Sequence, residues 1–131
     1  MEQRHQLSLK AFNEALKIYS QHPEVDCSSL LNNIGLIYKK SGMFNIAEEY
    51  FLESINERQE KSPENERMIY QSYLEMGICQ KELKKYDESI NSMRFALNYA
   101  KNGGGSIITV LKEMAKIFEI QQKWIEALNY Y

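Results

Sequence analysis

Apolar side chains recur three and four positions apart along most of the chain. Leu31, Ile34, Ile37 and Tyr38 form one such set, and Ala47, Tyr50, Phe51, Ser54 and Ile55 form the next. A three-to-four spacing places side chains on one face of an α-helix, whereas a half-buried strand alternates with period two. No segment alternates strictly, so the pattern predicts an all-α chain. Breaks in the pattern set the expected helices at 2–20, 23–41, 43–61, 63–84, 86–101, 106–121 and 123–131. Pro23 and Pro63, the two prolines, read as first residues of helices, each followed by acids (Glu24 and Asp26, Glu64 and Glu66). Gly42 after Ser41 reads as a helix stop, and Asn102-Gly103-Gly104-Gly105-Ser106 as a flexible connection between helices. Gly35 sits inside a helical stretch, where glycine costs about 1 kcal/mol against alanine.

Sliding the chain on itself accounts for Gly35. It aligns with Gly77 at an offset of 42 residues, and Gly77 aligns with Ala115 at an offset of 38. Around these tiny residues, Leu31, Tyr73 and Leu111 share one column, and Ile34, Met76 and Met114 another. Aromatics then open a second helix at Phe44, Tyr86 and Trp124, followed by a small residue at Ala47, Ser89 and Ala127. A large residue follows at Phe51, Met93 and Tyr131, then a small one at Ser54 and Ala96. Ser8, Phe12 and Ala15 repeat the second-helix spacing alone. Paired helices that carry small residues can approach to the lower end of the ~8–10 Å interaxial range.

These columns resemble the tetratricopeptide repeat (TPR), and the resemblance covers nearly the whole chain. The resemblance implies helix hairpins stacked as a right-handed α-α superhelix, since one hairpin cannot bury its apolar face alone. On this reading residues 1–131 are a single TPR array: 1–22 a second helix of a partial repeat, 23–62 and 63–105 full repeats, and 106–131 a repeat truncated in its second helix. Neither end has the polar capping helix that solenoids need, so the expectation is a piece of a longer array. Leu or Tyr stands where the family carries Trp in the first column, and Gln80 replaces the aromatic of Tyr38 and Phe118. The offsets exceed the ordinary repeat length of about 34 residues. They resemble those of the kinesin-light-chain-like and spindle-orientation-type branches.

Composition narrows the function. Sixteen basic and eighteen acidic residues give a net charge of −2, which offers nucleic acid or an anionic membrane surface no electrostatic footprint. No apolar run approaches the ~20 residues of a membrane span, and the charged N-terminus is not a signal peptide. Cys27 and Cys79 stand far apart with no metal-ligand spacing, as reduced structural cysteines of a cytoplasmic protein do, with cytoskeletal association an option the resemblance adds. His5 and His22 are isolated, the glycine run lacks a phosphate-loop ending, and the carboxylate pairs sit on solvated faces. No catalytic residue, cofactor or metal site is expected, and the chain does not read as an enzyme.

The first-helix positions that the packing columns leave over are the expected binding residues: Asn32, Asn33, Leu36, Lys39 and Lys40; Gln71, Leu74, Glu75 and Ile78; Lys112 and Lys116. The resemblance implies that such residues line a concave groove, with an amide such as Asn33 bonding a ligand backbone. It also implies that Glu75 and Glu113 would oppose a terminal carboxylate, so a chaperone-tail clamp is disfavoured. Leu36, Leu74 and Ile78 instead point to apolar anchors, such as those of a helix laid in the groove. The leading expectation is a scaffold or adaptor that holds a peptide or helix of another protein. The alternatives are the peptide-sensing TPR domain of a quorum-sensing-type regulator and a self-assembling element whose ends stack on copies.

Overall fold

A computed structural model describes residues 3–129. Among them are six α-helices and no strand: α1 (Gln3–Ser20), α2 (Ser28–Lys40), α3 (Phe44–Lys61), α4 (Glu66–Glu82), α5 (Tyr86–Tyr99) and α6 (Ile107–Asn129). A single π turn, Ala100–Gly104, extends α5. The fold is an all-α solenoid in which α2 pairs with α3 and α4 with α5, and α4 also packs on α3. One core lies around Ala47, Phe51, Ile55, Met76 and Cys79. A second joins Tyr70, Leu74, Ile90, Met93 and Ala96 to Val110 and Ile117 of α6.

The repeat columns reappear as repeated contacts. A Cβ on Gly35 would lie 2.8 Å from Cε1 of Phe51, and one on Gly77 would lie 2.8 Å from Cε of Met93. The missing side chain is therefore what lets each hairpin close. Ser54 and Ser89, from the small columns, donate to the carbonyls of Ser28 and Gly77 at 2.8 and 2.6 Å. Tyr38 stacks on Tyr50 at 5.7 Å, and at the same columns one unit later Ser92 donates to Oε1 of Gln80 at 2.6 Å. Gln80 thus departs from the aromatic column together with its facing residue: a ring stack becomes a buried hydrogen bond.

The turns repeat as well. Gly42 takes a left-handed φ of +78°, with Gly42 N–H donating to Lys39 and Met43 N–H to the Tyr38 carbonyl. Lys84 takes φ +64°, with Lys84 N–H donating to Lys81 and Lys85 N–H to Gln80. Each turn thus has the four- and six-residue pair of bonds that closes a helix C-terminus.

Four expectations need correction. Neither proline opens a helix. The His22 carbonyl accepts from Val25 N–H and the Ser62 carbonyl from Asn65 N–H, so each proline is the second residue of a four-residue turn. Its fixed φ suits that position as well as it suits a helix start. The helices begin later, at Ser28 and Glu66, and Asp26 accepts from Ser28 N–H at 2.8 Å and from Ser62 Oγ at 2.6 Å, tying the two turns together. Burial pulls the Asp26 carboxyl upward, but these hydrogen bonds outweigh it and hold the group below its ordinary value. The glycine run is a packed turn rather than a flexible connection. A Cβ on Gly105 would fall 2.4 Å from the Tyr70 ring, whose hydroxyl donates to the Ser106 carbonyl. Finally, α6 runs unbroken from Ile107 to Asn129, where a hairpin turn near Gln122 was expected. No left-handed residue stands there to match Gly42 and Lys84. Tyr131, the expected large residue of that second helix, lies outside the described residues.

Candidate functional site

The first helices of the units, α2, α4 and α6, carry all eleven expected binding residues, but the structure divides them into three groups. Asn32 and Leu74 point inward. Asn32 is buried and its Oδ1 accepts from Ser72 Oγ at 2.8 Å. Leu74 is the equivalent of Asn32 one unit on, as Val110 is of Ser72, and Leu74 and Val110 belong to the same apolar core. One column therefore joins each unit to the next, through a polar pair and then through an apolar pair. Both positions were expected to be exposed; the following first helix covers them.

Lys39 and Glu75 form the second group, because they are bonded to each other across α2 and α4. The same columns recur one unit on, where Lys81 Nζ lies 3.5 Å from Glu113 Oε2 across α4 and α6. Lys116 reaches Oε1 of the same Glu113 at 3.1 Å. These ion pairs align successive first helices, with the lysine head groups drawn sideways to the neighbouring helix. The side chains of Lys39 and Glu75 are 27% and 16% exposed, so the pair is partly shielded from water and from salt.

The third group remains on the surface. Asn33, Lys40, Gln71, Lys112 and Lys116 are exposed, and Leu36 and Ile78 are half-buried. Asn33, Glu75 and Glu113 occupy one column, so Asn33 is the unit-one position with no lysine from a preceding first helix among the described residues. Leu36 and Ile78 occupy another, which becomes Lys116 in α6. The surface chemistry is thus an amide and a lysine on α2, an amide on α4 and two lysines on α6, with apolar carbons between them. It suits contact with backbone amides, acidic groups and an apolar side chain.

Two clusters lie outside this face. Tyr73 stacks on Phe95 at 5.1 Å and on Tyr99 at 6.0 Å, and Gln59 donates to both tyrosine hydroxyls. Its members come from α3, α4 and α5, so their distance in sequence hid the cluster. A cavity of about 450 Å³ opens between α1, the 21–27 turn and α3, lined in part by Tyr19, Val25, Cys27 and Glu57. Burial and the neighbouring Glu57 carboxylate push the Cys27 thiol up. Burial pushes Cys79 up to about 12, which leaves it a packed thiol rather than a nucleophile. No group of three or more His, Cys, Asp or Glu side chains with metal-holding geometry occurs among the described residues. No helix among them is long and apolar enough to cross a membrane.

Comparison with known proteins agrees with the fold. Residues 28–61, the hairpin of α2 and α3, match the tetratricopeptide repeat family. The chain is similar in fold to the crystal structure of BtubC (BKLC) from P. vanneervenii, with a TM-score of 0.81 at 19% identity. That match covers 96% of this chain and 53% of the other, so the chain spans about half its length. No curated protein sequence matches.

Proposed function

We propose that this chain is a non-catalytic interaction module that holds a peptide or helix of a partner protein along the exposed face of α2, α4 and α6. The observation that supports this reading is the repeated pair Lys39–Glu75 and Lys81–Glu113. It fixes the first helices side by side before any ligand arrives, so the face is preorganised and binding does not bear the cost of ordering it. Asn33 and Gln71 would bond a ligand backbone, Lys40, Lys112 and Lys116 would meet acidic groups, and Leu36 and Ile78 would seat an apolar side chain. The 42- and 38-residue spacing favours the long-repeat branch of the TPR family, and the composition favours a cytoplasmic setting.

The test is site-specific photocrosslinking in cells, with the probe at Gln71 or Lys112 on this face and at Asn91 on α5 as the control. The same partner protein should be captured from the first two positions and not from the third. Asn33→Ala should then weaken its capture at least fivefold while shifting Tm by less than about 2 °C. Capture from Asn91 alone, or a large Tm loss with unchanged capture, refutes the reading.

A further inference from the structure

Side chains seven residues apart lie within about 20° of each other around a helix, so they form straight lines along it. On α3, Glu53 and Glu60 form one such line and Leu52 and Gln59 another; on α5, Arg94 and Lys101 form a third. All six are exposed, and so is Phe95. Contacts fix which way each line leans. Glu53 and Glu60 border the cavity shared with Tyr19, so they lean toward α1. Gln59 donates to the hydroxyls of Tyr73 and Tyr99, so Gln59 and Leu52 lean toward α5. Phe95 stacks on Tyr73 and leans back toward α3. Arg94 and Lys101 stand 42 residues after Leu52 and Gln59, and they lean away from α3 in the same sense. Leu52 and Gln59 stay exposed although α5 lies beside them, so these columns belong to the outer face rather than to an end of the array.

Across α3 and α5 the outer face therefore runs acidic, apolar, apolar, basic. Leu52 and Phe95, 47% and 54% exposed, are the exposed large apolar side chains of α2 to α5. Glu53, Glu60, Arg94 and Lys101 have no ion-pair partner among the described residues. A face with this order is its own complement once it is turned left for right.

We infer that this face pairs with the same face of a second copy, about a two-fold axis running along the groove between α3 and α5. That operation lays α3 of one copy over α5 of the other and preserves heights along the helices. The 42-residue offset sets those heights: 52 falls at 94, 53 at 95 and 60 at 102. Leu52 of one copy thus meets Phe95 of the other at the centre. Glu53 meets Arg94 and Glu60 meets Lys101 at the rim, each contact made twice. An apolar centre inside a polar rim is the anatomy of a specific interface. The other two-fold, running across the helices, would lay the acidic line on its own copy and the basic line on its own, which like charges oppose. The paired face is isologous and closes as a dimer. It uses the second helices, whereas the peptide face proposed above uses the first.

The test is the mass of the 131-residue chain by sedimentation between about 5 and 500 µM. Twice the 15.4 kDa monomer is expected at the upper end. Glu53→Arg should weaken the dimer at least about tenfold with unchanged circular dichroism, and adding Arg94→Glu to the same chain should restore it. Leu52→Cys chains mixed with Phe95→Cys chains, both in a Cys27→Ser background, should oxidise to a covalent dimer that neither variant forms alone. The Asn91 control probe described above lies on this face and should capture this chain itself, not the partner. A monomer throughout the range overturns the inference, and so does a dimer that Glu53→Arg leaves intact. A covalent dimer of Leu52→Cys chains alone also overturns it, because that bond requires α3 to lie on α3.

Discussion

Gly35→Ala and Gly77→Ala are the same substitution at the same column, yet only the first should destabilise the fold. Alanine in place of glycine in a helix interior gains about 1 kcal/mol of propensity. Against that stands the added methyl, 2.8 Å from its nearest neighbour in each hairpin. At Gly35 the neighbour is the ring of Phe51, with Cδ1 and Cζ also at 3.0 and 3.1 Å, and that ring is fully buried. A planar ring closed in on all sides yields only by moving α3, and overpacking of this kind costs about 1–3 kcal/mol. At Gly77 the neighbour is the terminal methyl of Met93, whose sulfur is already at 3.3 Å and whose chain turns about three bonds.

The net expectation for Gly35→Ala is a loss of about 1–2 kcal/mol, or roughly 3–8 °C in Tm for a chain of this size. Gly77→Ala should be neutral or should gain up to about 1 kcal/mol. Urea denaturation followed by circular dichroism at 222 nm reads both. Adding Phe51→Leu to Gly35→Ala should give a double variant more stable than the two single losses predict, with a coupling of about 1 kcal/mol. Equal effects at the two glycines, or additivity with Phe51→Leu, would refute the claim that ring rigidity sets the sign.

Asn32→Ala leaves the buried Ser72 hydroxyl without its acceptor and should cost about 1–3 kcal/mol in the same assay, whereas Asn32→Leu with Ser72→Val, the types found at 74 and 110, should recover most of it. A double-mutant cycle on Lys39 and Glu75 should give a coupling of about 0.5–1 kcal/mol that shrinks between low salt and 1 M salt; a coupling indifferent to salt would refute the ion pair. Cys79 should resist a thiol reagent at pH 8 in the folded chain. Because its pKa is raised on folding from the model-compound value of 9.0 to about 12, its contribution is fully present below pH 9 and is lost as pH rises from there towards 12. Cys79→Ala should therefore lose less stability than wild type over that range, and parallel pH profiles would refute the assignment.

The amino-acid sequence by itself determined the all-α class, the repeat columns and the turn at Gly42. A 3.6-residue period, a left-handed turn at Gly42 and the recurrence of small against large columns are properties of neighbouring residues, so they survive reading along the chain. Gly35 and Gly77 were legible as close contacts because each column came with its large counterpart one hairpin away. The candidate face was only half legible. Asn32 and Asn33 are adjacent and chemically identical, yet one is buried and the other exposed. The difference lies in Ser72, forty residues on, which a local pattern does not reveal.

Pairing of Lys39 with Glu75 likewise required the lateral arrangement of α2 and α4, and the Tyr73, Phe95 and Tyr99 stack with Gln59 required three helices to converge. The prolines failed as helix starts because a fixed φ fits a turn and a first helical residue equally well. The unbroken α6 shows the same division. Columns in the sequence specify which faces match, but only the tertiary structure decides whether a helix turns back to cover its own face or runs on, as α6 does from Ile107 to Asn129.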